Sequence, residues 1–539
     1  MTAISSRIAA FADRWPKLLA LLLGAVSATG FAPLNLWPLT LLAFAGWMLL
    51  VARSPRKRSA FGVGWAFGVG HFTIGLNWIA TAFTYQAAMP AWLGWVAVVL
   101  LALYLAVYPA LAALGAWLVR RLGPPRTELT LSFVLAFAAL WTLTEWLRSW
   151  VFTGFAWNPL VATIGDFFGL LRLIGTYGGS ATVILAAGYV PWVMQSRVND
   201  PGLSTAPSPR SQLLHQLGAG AAIAGFLGLL YLLPNGSTST PTASNIAITV
   251  VQPNVGQQDK WEGDKAEANF AKLARLTTPK NDTPRLILWP EAAIPDYLET
   301  GYPAVYYDRS PAEARGRLTS LMNPGDLMLL GALKLEFASD GEAIGARNAV
   351  MTVHADGTLG PRYDKAHLVP YGEYLPMRPI LSAIGLSRLA PGDLDFWPGP
   401  GPHTLDLGAF GKAGLQICYE IIFSGQVVDR THRPDFIFNP SNDAWFGGWG
   451  PPQHLAQARL RAIEEGLPVI RATPTGISAV IDANGRILDS LPMHQAGRID
   501  AFVPKAHAPT PFARYGNLLP VGFALLLLAA AIAFRRRGR

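Results

Sequence analysis

Long apolar runs separated by short polar breaks fill the first 234 positions, and the pattern changes after them. An apolar run of about 20 residues is enough to cross a bilayer as a helix, and no Asp, Glu, Lys or Arg occurs between Arg58 and Arg120. That window alone predicts two crossings. The runs predict spans at 17–32, 36–52, 61–83, 91–119, 129–152, 167–194 and 213–233, and a last one at 518–534. Beyond the polar stretch Asn235-Gly-Ser-Thr-Ser-Thr-Pro-Thr242 the runs shorten and are bounded by Gly, Pro, Asn or Asp, as strands are. Strands are predicted at 246–252, 285–289, 327–333, 349–354, 413–418, 435–439, 469–472 and 478–482, with helices at 264–276, 311–322 and 453–465. Strands interleaved with helices predict one α/β domain with a buried sheet. The expected organisation is a polytopic α-helical membrane domain at 1–234, an extramembrane α/β domain at 235–515, and a C-terminal transmembrane helix with a basic tail at 516–539.

Charge fixes the expected orientation. The chain has 539 residues, 51% hydrophobic and 14% charged, where soluble domains average about 25% charged, which argues against a purely soluble enzyme. The 11% aromatic content excludes disorder, and a single cysteine, Cys418, excludes a disulfide-built fold. The net charge of +9 sits largely beside the spans, at Arg7, Arg14, Lys17, Arg53, Arg56, Lys57, Arg58, Arg120, Arg121, Arg126, Arg197, Arg210 and the tail Arg535, Arg536, Arg537 and Arg539. The opposite connections at 33–36 and 85–90 carry no charge. By the positive-inside rule this predicts a cytoplasmic N-terminus, a retained first helix rather than a cleaved signal, and a polar domain outside the cytoplasm. The charge therefore marks topology and not nucleic acid. No Walker loop, GxGxxG or His/Cys cluster with metal-ligand spacing occurs, so neither metal nor cofactor is expected. Within the spans Glu145 and Arg148, three apart, and the isolated His71, Asn77 and Arg172 are read as structural. Trp141, Trp146, Trp150 and Trp157 suit either interface anchoring or packing.

Three segments carry candidate chemistry. In Leu286-Ile-Leu-Trp-Pro-Glu291 an apolar strand runs into an acid, whose desolvation raises its pKa toward that of a neutral-pH base; an ordinary helix-start acid reads the same way. In Lys365-Ala-His-Leu-Val-Pro370-Tyr-Gly-Glu373-Tyr-Leu-Pro376 prolines and a glycine fix a loop with a lysine and a glutamate, a cation for a developing oxyanion or an ordinary solvated pair. In Ala413-Gly-Leu-Gln-Ile-Cys418-Tyr-Glu420 a strand delivers the lone cysteine to its C-terminal end, where α/β folds gather their chemistry. A free cysteine otherwise reads as a small buried hydrophobe; as a nucleophile its thiol needs a nearby cation to lower its pKa, and Lys365 is a candidate.

The order Glu291, Lys365, Cys418 resembles the catalytic order of the nitrilase superfamily. With the predicted spans, the Lys365–Pro376 loop and Ser441-Asn-Asp-Ala-Trp-Phe-Gly447, the chain resembles bacterial apolipoprotein N-acyltransferases, the membrane-embedded branch. The resemblance implies a four-layer α-β-β-α sandwich on the periplasmic face of the inner membrane. It also implies transfer of an acyl chain from a phospholipid to the diacylglyceryl-cysteine at the N-terminus of an apolipoprotein. It assigns the base to Glu291, the oxyanion lysine to Lys365 and the nucleophile to Cys418. Support falls to Glu373 and Tyr419, and substrate binding to Trp261, Glu420 and Trp445. In Arg471-Ala-Thr-Pro474-Thr-Gly476 a proline stands where the family pattern usually has asparagine, removing a backbone donor and an amide. A membrane-tethered amidase on a small nitrogen compound and a transporter with an external binding domain are the competing readings.

Overall fold

Glycine sets how closely the first apolar helices pack. A Cβ on Gly24, in the helix Pro16–Ser27, would lie 2.0 Å from Phe67 O, and one on Gly70, in the helix Lys57–Gly75, 2.0 Å from Leu21 O. Small residues let apolar helices approach where no hydrophobic force draws them together. The predicted third span stops at Gly75 and resumes as a short helix, Ile79–Ala82. The fourth divides into Leu93–Leu105 and Val107–Arg120, because Pro109 has no N–H for the carbonyl four residues back.

The computed structural model describes residues 10–85, 90–122, 129–164, 169–198, 243–260, 262–383, 388–389 and 394–537. They form two units, Met1–Asn77 with Trp95–Ser237 and Tyr515–Arg539, and Trp78–Gly94 with Thr238–Arg514. The predicted span 213–233 and Trp261 lie outside the described residues. Three described helices are long and apolar enough to cross a membrane, Leu93–Arg120, Leu131–Arg148 and Leu518–Arg535; Pro16–Gly30 and Trp37–Arg53 are apolar but shorter. The final helix is tied into its unit where Ser132 Oγ donates to Ala531 O at 2.6 Å. Glu145 and Arg148 fasten the loop that follows their helix: Glu145 Oε1 accepts from Leu160 N at 2.8 Å, and Arg148 Nη1 donates to Trp157 O at 2.9 Å. Trp141 and Trp157 are buried in packing, whereas Trp150 is half exposed.

The second unit contains two six-stranded sheets. The strands are β1 (Ala243–Gln252), β2 (Leu286–Leu288), β3 (Leu327–Phe337), β4 (Ala343–His354), β5 (Tyr363–Asp364), β6 (Thr404–Asp406), β7 (Lys412–Leu415), β8 (Phe436–Pro440), β9 (Val469–Ala472), β10 (Ser478–Ile481), β11 (Ile487–Leu491) and β12 (Gly497–Pro504). One sheet runs β12-β1-β2-β3-β4-β5 and the other β11-β10-β9-β8-β7-β6. Each has two parallel pairs at its centre, β1-β2-β3 and β7-β8-β9, flanked by antiparallel strands. The unbroken apolar run Leu286-Ile-Leu-Trp289 follows from burial on both faces. Leu286 and Leu288 pack with Leu415, Phe436 and Phe438 between the sheets. Ile287 and Trp289 face the other way, among Leu273, Ala314 and Leu318 of the helices Ala266–Thr277 and Pro311–Thr319. The helix Gly450–Glu465, buried along most of its length, packs on β9. The layers are α-β-β-α, as the resemblance implies.

Candidate active site

Two strand ends carry strained residues. β2 ends in Trp289-Pro-Glu291, and Ala292 has φ +46°; β7 runs into Cys418, with φ +50°. Left-handed backbone costs a residue with a Cβ about 1–2 kcal/mol, and such strain gathers at functional sites. The β2 end is pressed against β3 at Gly331, where a Cβ would lie 2.6 Å from Glu291 Cα and 2.3 Å from Ala292 N. Only glycine permits that approach.

Glu291, Lys365, Cys418 and Glu373 are all buried. Lys365 Nζ lies 2.9 Å from Glu373 Oε1 and 3.3 Å from Glu291 Oε1. Asn348 Nδ2, on β4, donates to the same two oxygens at 3.1 and 2.6 Å. Glu291 Oε2 accepts from the Asn442 backbone N–H at 2.7 Å, and Glu373 Oε2 from Val369 N at 2.8 Å. Lys365 N donates to Asn348 O at 2.8 Å, which anchors its loop on β4. A second lysine, Lys260, donates from Nζ to the Glu291 carbonyl at 2.9 Å. It lines a small cleft, about 40 Å³, with Pro253, Val255, Phe270, Glu291 and Pro474.

Burial pushes the Glu291 carboxyl up, but the Lys365 and Lys260 ammoniums and the Asn348 and Asn442 donors outweigh it and hold it below the usual carboxylate range. Desolvation alone predicts a raised value; the partners that reverse it are distant in sequence. Burial works against the charge of Lys365, but Glu373, Glu291 and Cys418 hold its ammonium above the ordinary lysine range. Burial and the Glu291 charge push the Cys418 thiol well up, and Lys365 offsets only part of this. The resting pair is therefore a thiol beside an ionised carboxylate, not a preformed thiolate. Iodoacetamide should accordingly alkylate Cys418 more slowly than a free thiol at about pH 8, with the rate still climbing where that of a free thiol has levelled off. A rate that levels off near neutral pH would contradict this ionisation state.

Glu420, expected at the substrate, uses its buried carboxylate to hold backbone. Oε1 accepts from Ala366 N at 2.7 Å and His367 N at 3.0 Å, Oε2 from Ile417 N at 2.7 Å, and the Tyr363 hydroxyl donates at 3.1 Å. It ties the Lys365 loop to the residue before Cys418, and burial pushes its carboxyl up to about 7. The Tyr419 ring lies 5.7 Å from that of His367 and 5.2 Å from that of Phe423, between ring centres. The half-buried Trp445 lies 5.9 Å from Tyr85. With its amide oxygen turned toward donors, Asn442 accepts from Trp445 Nε1 and Lys260 Nζ, each at 3.2 Å. Asn348 and Lys260 are absent from the candidates read from sequence, and Asn442 enters only as part of the Ser441–Gly447 motif. A polar Asn348 next to the apolar run of β4 is the signal that points to the first.

Residues 23–189 match the model of the apolipoprotein N-acyltransferase N-terminal domain, and 247–504 that of carbon-nitrogen hydrolases. The apolipoprotein N-acyltransferase of Rhodopseudomonas palustris is 33% identical over 99% of this chain and 98% of its own length. That of Bradyrhizobium diazoefficiens is 35% identical over 97% and 95%. The chain belongs to the apolipoprotein N-acyltransferase family. Among solved structures, Saccharomyces cerevisiae Nit3, a member of branch 10 of the nitrilase superfamily, is 20% identical over 50% of this chain and 93% of its own, with a TM-score of 0.32. For a member of an acyltransferase family with a carbon-nitrogen hydrolase domain, the buried Glu291-Lys365-Glu373 cluster beside Cys418 is the candidate centre of reaction.

Proposed function

We propose that the chain moves a fatty acyl group from a membrane phospholipid, through a thioester on Cys418, to the α-amino group of the diacylglyceryl-cysteine that begins an apolipoprotein. This is the last step of lipoprotein maturation. The observation that carries the reading is the buried thiol of Cys418 together with a buried cluster in which Lys365 Nζ lies 3.3 Å from Glu291 and 2.9 Å from Glu373. In the first half-reaction the Cys418 sulfur bonds to the ester carbonyl carbon as its proton passes to Glu291. The carbonyl π pair moves to oxygen, where Lys365 and the Tyr419 backbone N–H stabilise it. Collapse breaks the ester C–O bond, Glu291 returns the proton to the leaving oxygen, and a lysophospholipid departs. In the second, the acceptor amine attacks the thioester carbonyl, Glu291 takes the amine proton, the C–S bond breaks and the proton returns to sulfur. Each positioned oxyanion donor is worth about 3 kcal/mol in such steps, and Glu373 keeps Lys365 charged and aimed. Trp261 and Trp445 serve at the substrate, whereas Glu420 acts by holding the backbone between the nucleophile and the lysine loop.

The same reading divides the chain into a membrane domain at 1–234, a catalytic domain at 235–515 and a last span with its tail at 516–539. Eight crossings, with the catalytic domain on the periplasmic side of the bacterial inner membrane, are supported by the charge-free apolar windows and the basic residues flanking alternate loops. Both partners are lipids whose reacting groups lie at headgroup level, and excluding water there protects the thioester. The test is intact-mass analysis of the purified protein with phospholipid. The expected result is a gain of one acyl chain, mapped to the peptide containing Cys418 and discharged by a diacylated lipopeptide. A protein that gains no acyl chain but hydrolyses small amides would instead be a tethered amidase.

A further inference from the structure

The strained peptide between Cys418 and Tyr419 is gripped by residues outside the Glu291-Lys365-Glu373 cluster. On the helix Gly450–Glu465, His454 Nε2 lies 3.0 Å from the Cys418 carbonyl oxygen. A carbonyl only accepts, so Nε2 carries the proton. Nδ1 lies 3.0 Å from Arg471 Nη2 and 2.9 Å from Asp443 Oδ1. Burial and the Arg471 charge push the imidazole pKa down against the pull of the Asp443 carboxylate, and Nδ1 lies between the Arg471 donor and that carboxylate. Arg471 Nη2 also reaches both oxygens of Asp443, at 2.7 and 2.6 Å, and Nη1 donates to Ser441 Oγ at 3.0 Å and to Asn439 Oδ1. Asn439 Nδ2 donates to Gln416 O at 2.5 Å, two residues before the nucleophile. His454, Arg471 and Asn439 are 0% exposed and Asp443 is 2%. The network holds the chain at two points of the nucleophile segment, the Gln416 carbonyl and the Cys418 carbonyl.

Geometry gives the second of these holds a use. In a planar trans peptide the C=O and the N–H point in opposite directions. A bond that fixes the Cys418 carbonyl therefore fixes the direction of the Tyr419 N–H across the same peptide. The geometry points to His454, backed by Asp443 and Arg471, as a positioning residue for oxyanion stabilisation: it holds the Cys418–Tyr419 peptide so that the Tyr419 N–H meets the oxygen of the attacked carbonyl. The inference rests on the reading above only in that Cys418 attacks a carbonyl carbon. It predicts that His454 acts on steps that create an oxyanion and not on the reactivity of sulfur as such.

Two probes of Cys418 separate these. A p-nitrophenyl ester acylates the thiol through a tetrahedral oxyanion and releases nitrophenol; iodoacetamide alkylates it by displacing iodide, with no oxyanion. Removing one oxyanion donor typically costs about 10²–10³-fold in rate. His454→Phe should therefore lower the nitrophenol burst by about that factor and leave iodoacetamide alkylation within a few-fold of wild type. His454→Gln, whose amide N–H reaches the same carbonyl, should recover much of the burst. If both rates fall together in both variants, the histidine is merely structural and the proposal is overturned. If the burst of His454→Phe matches wild type, the proposal is overturned as well. The ester needs no phospholipid site, so a wild type that reacts with the ester but not with phospholipid would sink the proposed acyl donor and leave the His454 comparison readable.

Discussion

Lys365→Met is expected to lower acyl-enzyme formation by about 10³–10⁴-fold and to destabilise the catalytic domain by about 3–5 kcal/mol, the usual consequence of breaking a buried ion pair from one side. The ammonium is shared by Glu373 at 2.9 Å and Glu291 at 3.3 Å, and all three groups are buried. Without it the two carboxylates face one another across the Asn348 amide alone, and one of them must take a proton. Glu291 is held below the usual range by its cations, so its pKa rises and the protonated fraction can no longer accept the thiol proton. Oxyanion support and the base are lost together, and the two losses do not simply multiply because the groups act as a unit. The sign of the pH effect follows: with the Glu291 pKa raised, whatever activity remains should increase with pH, its acid limb displaced upward from that of the wild type. A second substitution separates the two costs. Lys365→Met with Glu373→Gln removes the surplus negative charge, so the melting temperature should recover while the rate does not. Acyl-enzyme kinetics by intact mass and thermal melts read both; a single variant with a near-normal rate would remove Lys365 from the chemistry.

What the sequence made legible was the part of this centre that follows from local pattern. Apolar runs ending in Glu291 and Cys418 were readable as strands because both faces of β2 and β7 are covered, and β9 was placed at 469–472, the bounds observed. The first half of β4 was missed because Gly345, Arg347 and Asn348 interrupt its apolar run, and β11 because its residues are mostly exposed and carry no alternation. β5 and β6 are only two and three residues long, too short to show a period. The ionisation of the site was not legible for a different reason. Whether Glu291 lies above or below the usual carboxylate range depends on Lys365, Lys260, Asn348 and the Asn442 N–H, and the fold brings those together from 31 to 151 positions away. The grip of His454 on Cys418, across 36 positions, is invisible in any window of sequence for the same reason.

Glu291→Gln keeps the shape of the side chain and removes its proton affinity, and it is expected to slow both half-reactions by about 10²–10⁴-fold, the range of a positioned general base. In the wild type every group around the carboxylate donates: Asn348 Nδ2 and Lys365 Nζ to Oε1, and the Asn442 N–H to Oε2. An amide has one end that donates. Whichever way it turns, its NH₂ faces either the Asn442 N–H or the Lys365 and Asn348 donors, so a moderate loss of stability accompanies the loss of rate. The raised thiol pKa sharpens the expectation: a cysteine that rested as thiolate would attack without a base, whereas Cys418 has to surrender its proton during attack. Loading the enzyme with a p-nitrophenyl ester isolates the second step, in which the acceptor is an amine. The Glu291→Gln variant should then hold its thioester when the lipopeptide is added, because its amide cannot take the amine proton. Discharge at the wild-type rate would confine Glu291 to the first half-reaction and require a different base for the second. Lys260, bonded to the Glu291 carbonyl and with its pKa pulled down by burial to about 8, is a group able to serve there in its neutral form.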